Sequence, residues 1–148
     1  MAQSNKSPFP EFVDILRTAY RIEVKSQQEE PYFSKYGVEG FCSAPEKIIC
    51  IGDYFRDEEV KDETDQFKLE SMKSILRHEI VHAFLYESGL ANSAHSSRCG
   101  WARDEEIVDW IARQGCKIFR AWQEANCVPC TMTPENWILM ENAHQTSP

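Results

Sequence analysis

The sequence lacks any apolar run near the roughly 18 residues that a bilayer span requires, so no segment reads as a transmembrane helix. Its first ten residues, Met1 to Pro10, contain one lysine and no apolar stretch of the kind a secretory signal carries, which argues against export by that route. Basic residues are in the minority: 16 Lys and Arg stand against 24 Asp and Glu, a net charge of −8. A nucleic-acid surface needs clustered Lys and Arg to neutralise phosphates, so this balance argues against a nucleic-acid partner. No repeat, low-complexity tract or Pro/Gly/Ser linker divides the chain. A single domain over residues 1–148 is therefore expected, with 1–7 and 144–148 as loose tails. The Cys127-Val-Pro-Cys130 pair has no second C-x-x-C partner, which weakens a four-cysteine zinc site. That pair also does not open a helix after a strand, which weakens a thioredoxin-like role. Six cysteines without a secretion signal read as reduced thiols. These absences lead to the expectation of a cytoplasmic protein with no membrane or nucleic-acid partner.

What is present is an ordinary globular composition. Hydrophobic residues make up 42% and charged residues 27%, which argues against wholesale disorder. From Phe9, the apolar positions Phe9, Phe12, Val13, Leu16, Ala19 and Tyr20 follow helical spacing, and Pro10 suits a first turn, so an N-terminal helix ending near Thr18 is expected. Tyr20 to Lys25 alternates with period two and reads as a half-buried strand. Residues 26–36 read as a connection. Gly37 to Ser43 and, more strongly, Lys47 to Ile51 read as short strands, and Asp57 to Asp65 as a charged loop.

A long helix follows over Gln66 to Ser88, with Asp65 as a candidate N-cap and Gly89 just past its end. Its apolar residues, from Leu69 to Leu85, cover most of its circumference and leave a polar sector near Lys73 and Arg77, as in a helix central to its fold. Leu90 to Ala102 reads as a loop and Arg103 to Ala125 as a second helix. Thr133 before Pro134 opens a short terminal helix. Helices and strands segregate along the chain, which gives an α+β class: an N-terminal helix, a short few-stranded sheet, and a central helix packed on a second one.

The central helix carries His78-Glu79-Ile80-Val81-His82, an H-E-x-x-H motif. Residues four apart lie about 40° apart around a helix and roughly 6 Å along it, so both imidazoles can reach one metal ion. Glu79 projects from the adjoining face, where it can hold a water beside the ion without ligating it. Three titratable groups within five residues of a mostly buried helix each need compensation, and a divalent cation supplies it at once. A catalytic zinc usually takes three protein ligands and keeps one open position. The candidates for the third are His95, Cys99, Glu105, Glu106 and Asp109. Glu105 and Asp109 share one face near the start of the second helix. Glu105 can ligate the ion, while Asp109, one turn on, can accept a hydrogen bond from a ligand histidine. Glu106 is rotated by about 100° and reads as a solvated acid favoured by the helix dipole. For stabilising an oxyanion, His95, Tyr54 and Tyr86 stay open.

H-E-x-x-H followed some twenty residues on by Glu105-Glu-Ile-Val-Asp109-Trp-Ile111-Ala112 resembles the gluzincin metallopeptidases, and that second segment resembles the E-x-x-x-N-x-F-A segment of the ImmA/IrrE-type family. His78 through Leu90 and Trp101 through Ala112 are similar to short zincin-like proteins of phages and prophages. The resemblance covers about a third of the chain. It implies a zincin-like fold, Zn2+ held by His78, His82 and Glu105, Glu79 as general base, and a peptide or protein substrate in the cytoplasm, that of the host for a phage-encoded chain. In zincins, an edge strand beside the active-site helix pairs with extended peptide; the Lys47–Ile51 strand is the candidate here. The rival expectation is a zinc-stabilised binding or regulatory protein that cleaves nothing. Such a protein needs the ligands but not Glu79.

Overall fold

A computed structural model describes residues 7–93, 102 and 104–125. The chain divides into two compact units, Met1–Arg113 and Gln114–Pro148. The first is α+β. Its sheet consists of β1 (Phe12–Ile15), β2 (Thr18–Lys25), β3 (Gly40–Ser43) and β4 (Ile48–Gly52), in the order β1-β2-β4-β3. β1–β2 and β3–β4 are antiparallel, and β2 runs parallel to β4. Between β2 and β3 lies α1 (Pro31–Tyr36). The long α2 (Asp65–Glu87), the single turn α3 (Leu90–Ser93) and the start of α4 (Glu105–Glu124) follow the sheet. In the second unit, the described residues are the later turns of α4 and Ala125. Among the described residues no helix is long and apolar enough to cross a membrane.

The expected N-terminal helix is replaced by the β1–β2 hairpin. Ile15 pairs with Thr18 across a two-residue turn whose Leu16 and Arg17 both have left-handed backbone, φ 52° and 70°. Such turns match the twist of the strands and usually carry Asn-Gly or Asp-Gly; Leu-Arg gives no such signal. The side chain of Asp14 supports the turn by accepting from the Arg17 N–H at 3.1 Å. Val13, Ile15 and Tyr20 turn inward, while Phe12 and Leu16 are left more than half exposed. The helical spacing thus came from apolar residues on both faces of a hairpin.

The core lies between one face of the sheet and α2. Tyr20, Ile22, Ile49 and Ile51 meet Met72, Leu76 and Ala83 there. The opposite face of β2 is charged, with Glu23 and Glu30 both on Lys25. On that face the connection expected over residues 26–36 contains α1, capped by the Glu30 carboxylate and closed by Gly37 at φ 64°. α2 matches the expected span closely, but Thr64, not Asp65, caps it, accepting from the Phe67 N–H at 3.1 Å. Gly89 stands just past its end with φ 80°, as expected. A 3₁₀ turn, Glu58–Val60, interrupts the expected charged loop, and α3 forms the first part of the expected loop from Leu90. Asp104 starts α4 by accepting from the N–H groups of Glu106 and Ile107 at 2.9 and 3.3 Å. Val108 then packs with Leu85, Ala91 and Ala102. The expected terminal helix at Thr133, both tails apart from Ser7, and the Cys127/Cys130 pair lie outside the described residues.

Candidate metal centre

α2 presents three faces that matter. One is buried on the sheet, and another is solvated. His78 and His82 stand on the margin between them, half-buried and one turn apart. The first turn of α4 brings Glu105 to both. His78 Nε2 lies 3.0 Å from His82 Nε2 and 3.0 Å from Glu105 Oε2, which is 3.3 Å from His82 Nε2. Asp109, one turn beyond Glu105, sits 2.8 Å from His78 Nδ1. A carboxylate only accepts, so His78 Nδ1 carries the proton, and in the neutral ring Nε2 is left with a lone pair. The second oxygen of Asp109 accepts from Arg113 at 3.1 Å.

The donor set can be tested against a cation. Burial lowers the pKa of His82, while the Glu105 carboxylate pulls it the other way, so the ring is held toward its neutral form. With His78 Nε2 and the Glu105 carboxylate both acceptors, the cluster closes in one of two ways: His82 Nε2 carries a proton to share, or a positive charge lies among the three atoms. Zinc bound at 2.0–2.1 Å to tetrahedral ligands holds them about 3.3 Å apart. The observed separations of 3.0 to 3.3 Å fit that spacing. Among the described residues this is the one group of three such side chains close enough to hold an ion.

Glu79 faces the sheet side of the same turn and is only 6% exposed. Its carboxylate makes no hydrogen bond to a described residue and lines the cavity that also holds His78, His82 and Glu105. Burial pushes its carboxyl up to about 7; the charge of Glu105 adds to this and His78 opposes it. A carboxylate with that affinity for protons is suited to exchanging them near neutrality. The cavity, of about 740 Å³, is bordered by β3. Gly40 allows this approach, because a Cβ there would lie 2.7 Å from Ile75 Cγ2 and 3.2 Å from Glu79 Cγ.

Glu106 is exposed and does not line the cavity. Tyr86 lines it, one turn beyond His82. Tyr54 does not; its hydroxyl is bound to Glu39 beside a different, smaller cavity. His95 and Cys99 lie outside the described residues. The Lys47–Ile51 segment is not the edge strand that was expected. It forms β4, paired on both sides, and the free edge next to the site belongs to β3. The stronger β-pattern of Ile48–Ile51 reflects that central position, since an inner strand is buried on both faces. Sequence reasoning missed Arg113, although its i,i+4 spacing from Asp109 is a readable acid–base pair. It also missed Gly40, for which a lone glycine in a strand gives only a weak signal. No protein-family model, curated protein or solved structure matches the chain.

Proposed function

We propose that the chain is a zinc-dependent metallopeptidase of the H-E-x-x-H gluzincin type, with a zincin-like fold and a likeness to the small ImmA/IrrE-like proteins of phages and prophages. The observation that carries this reading is the convergence of two Nε2 atoms and one carboxylate oxygen within 3.3 Å, beside a buried glutamate on the same helical turn. His78, His82 and Glu105 would hold the ion. Two imidazoles and one carboxylate suit zinc and leave a position open. When bound, the ion lowers the pKa of water toward about 7 and polarises a carbonyl.

The chain's own groups do the rest. Asp109 holds the proton of His78 at Nδ1 and so would leave the lone pair of Nε2 free for a bound ion; Arg113 holds Asp109. The Glu79 carboxylate takes a proton from the attacking water and delivers it to the nitrogen of the leaving amine, acting first as base and then as acid. The free edge of β3 offers main-chain groups to an extended substrate. This reading assigns the protein a peptide or protein substrate in the cytoplasm, without a nucleic-acid partner.

The test is cleavage of a peptide library by wild type and by Glu79→Gln, with zinc supplied. The amide keeps size and hydrogen bonding but cannot accept the proton. Cleavage by wild type should fall at least 100-fold in the variant, with fold and zinc content kept. Equal cleavage by both proteins would remove Glu79 from the mechanism. A partner bound equally by both, and cut by neither, would favour the zinc-stabilised binding protein instead.

A further inference from the structure

The edge of β3 has a polarity that can be read from its pairing. The Gly52 N–H donates to the Glu39 carbonyl at 2.9 Å, and the register continues as Gly40↔Ile51 and Phe41↔Cys50. Hydrogen-bonded and non-bonded pairs alternate along an antiparallel ladder. The main-chain groups of Phe41 and Ser43 therefore face β4, and those of Gly40 and Cys42 face outward. The cavity at the candidate metal centre and a second one, of about 660 Å³, share Tyr32, Phe41, Cys42 and Tyr86. They thus form one groove along this edge.

Each side of the groove has its own chemistry. On the α1 side, Phe41 lies 4.7 Å from Tyr32, whose ring is 4.3 Å from Tyr36. Tyr32 and Tyr36 remain 43% and 53% exposed. Lys35 Nζ sits 4.8 Å over the Tyr36 ring, so that ring already holds a cation. At the two ends stand Glu39, in the first cavity, and Glu46, in the second. Glu39 accepts from the Tyr54 hydroxyl, and Glu46 from the Ser43 hydroxyl at 2.7 Å. Neither has a cationic partner among the described residues, in a chain of net charge −8.

We propose that this groove takes an extended basic peptide, seating an aromatic side chain on Tyr32, against which Tyr36 packs, and Lys or Arg side chains near Glu39 and Glu46. The inference rests on reading the metal centre as a peptide-cleaving site and names the class of substrate it receives. Residues of an added strand alternate between the two faces, so the residue beside Phe41 points to the tyrosines while its neighbours point toward Glu79. The four residues of β3 span about 13 Å, which limits the recognised segment to about six residues.

The test uses fluorescent octapeptides with lysine flanks and Ala, Leu, Tyr or Trp at one central position. Binding is measured by anisotropy to the Glu79→Gln chain with zinc supplied, so that no cleavage consumes the probe. Tyr and Trp peptides should bind about tenfold more tightly than the Ala peptide. The preference should vanish in a chain that also carries Tyr32→Ala and Tyr36→Ala, with zinc content and Tm unchanged. Glutamate flanks should weaken binding, and single N-methyl amides along the peptide should weaken it at alternate positions. Equal affinity for aromatic and alanine peptides would overturn the proposal. So would cleavage of all the octapeptides at equal rates by wild type, although the peptidase reading would then stand. Aromatic preference without cleavage by wild type would support the groove and sink the peptidase reading. A dimer that the two tyrosine substitutions dissociate, with no peptide bound, would assign the surface to a second copy and overturn it.

Discussion

Two carboxylates one residue apart, Glu105 and Glu106, have opposite fates in this chain. Glu105 reaches both histidines, while Glu106 points to solvent. Glu105→Ala should therefore weaken zinc binding by orders of magnitude, and Glu106→Ala should change it little. Asp109→Ala should cost about 10–100-fold, because it frees the His78 ring rather than removing a ligand. Competition titration with a chromophoric chelator measures all three. A sensitive Glu106 would place the register of α4 wrong by one residue. At this scale the candidate site was legible because helical geometry converts sequence spacing directly into spatial proximity. His78, Glu79 and His82 needed only a helix, and Glu105 and Asp109 needed only a second helix. Arg113 was equally readable from its spacing. Gly40, Tyr32 and Phe41 were not, since their roles depend on a strand approaching α2 and on a six-residue helix that no periodicity announces.

Among the elements, the approach of β3 to α2 is what sets the groove. A methyl at position 40 would meet a branched Ile75 atom at 2.7 Å and the Cys50 carbonyl at 3.2 Å, neither of which can swing aside freely. Gly40→Ala should cost about 1–3 kcal/mol of stability, as overpacking does, and should reduce peptide cleavage more than zinc content. Chemical denaturation and metal analysis of the same preparation check it; unchanged stability would mean that β3 shifts without cost. A second joint ties the hairpin to the end of α2. Glu87 accepts from the Tyr20 hydroxyl at 2.7 Å, from the Thr18 hydroxyl at 3.0 Å and from Lys47. The Lys47 bond, first, and then the Tyr20 bond hold the Glu87 carboxyl below its usual range. A depressed carboxylate stabilises the fold above its unfolded pKa, and that contribution is lost as pH falls through the folded value. Glu87→Gln should therefore lower Tm at neutral pH, with a deficit that shrinks toward acid. A deficit independent of pH from 7 to 3 would contradict this. The strands β2 and β4 and the helices α2 and α4 were legible because their patterns span several residues of one period. The hairpin was not, because Leu16 and Arg17 adopt left-handed backbone without the residues that advertise it.

For the molecule as a whole, the α+β class followed from the order of its elements, but the identity of the free sheet edge did not. Strand order is a non-local property: β4 lies between β2 and β3, and nothing in the individual patterns records which neighbour is missing. Peptide cleavage as proposed requires that α2 and the first turn of α4 together hold one ion. The most direct test of this is the zinc content, by elemental analysis, of wild type, Glu79→Gln and His78→Ala/His82→Ala after identical purification and dialysis against zinc. One zinc per chain is expected in the first two and none in the third. Stoichiometric zinc in the double variant, or none in the wild type, would contradict this.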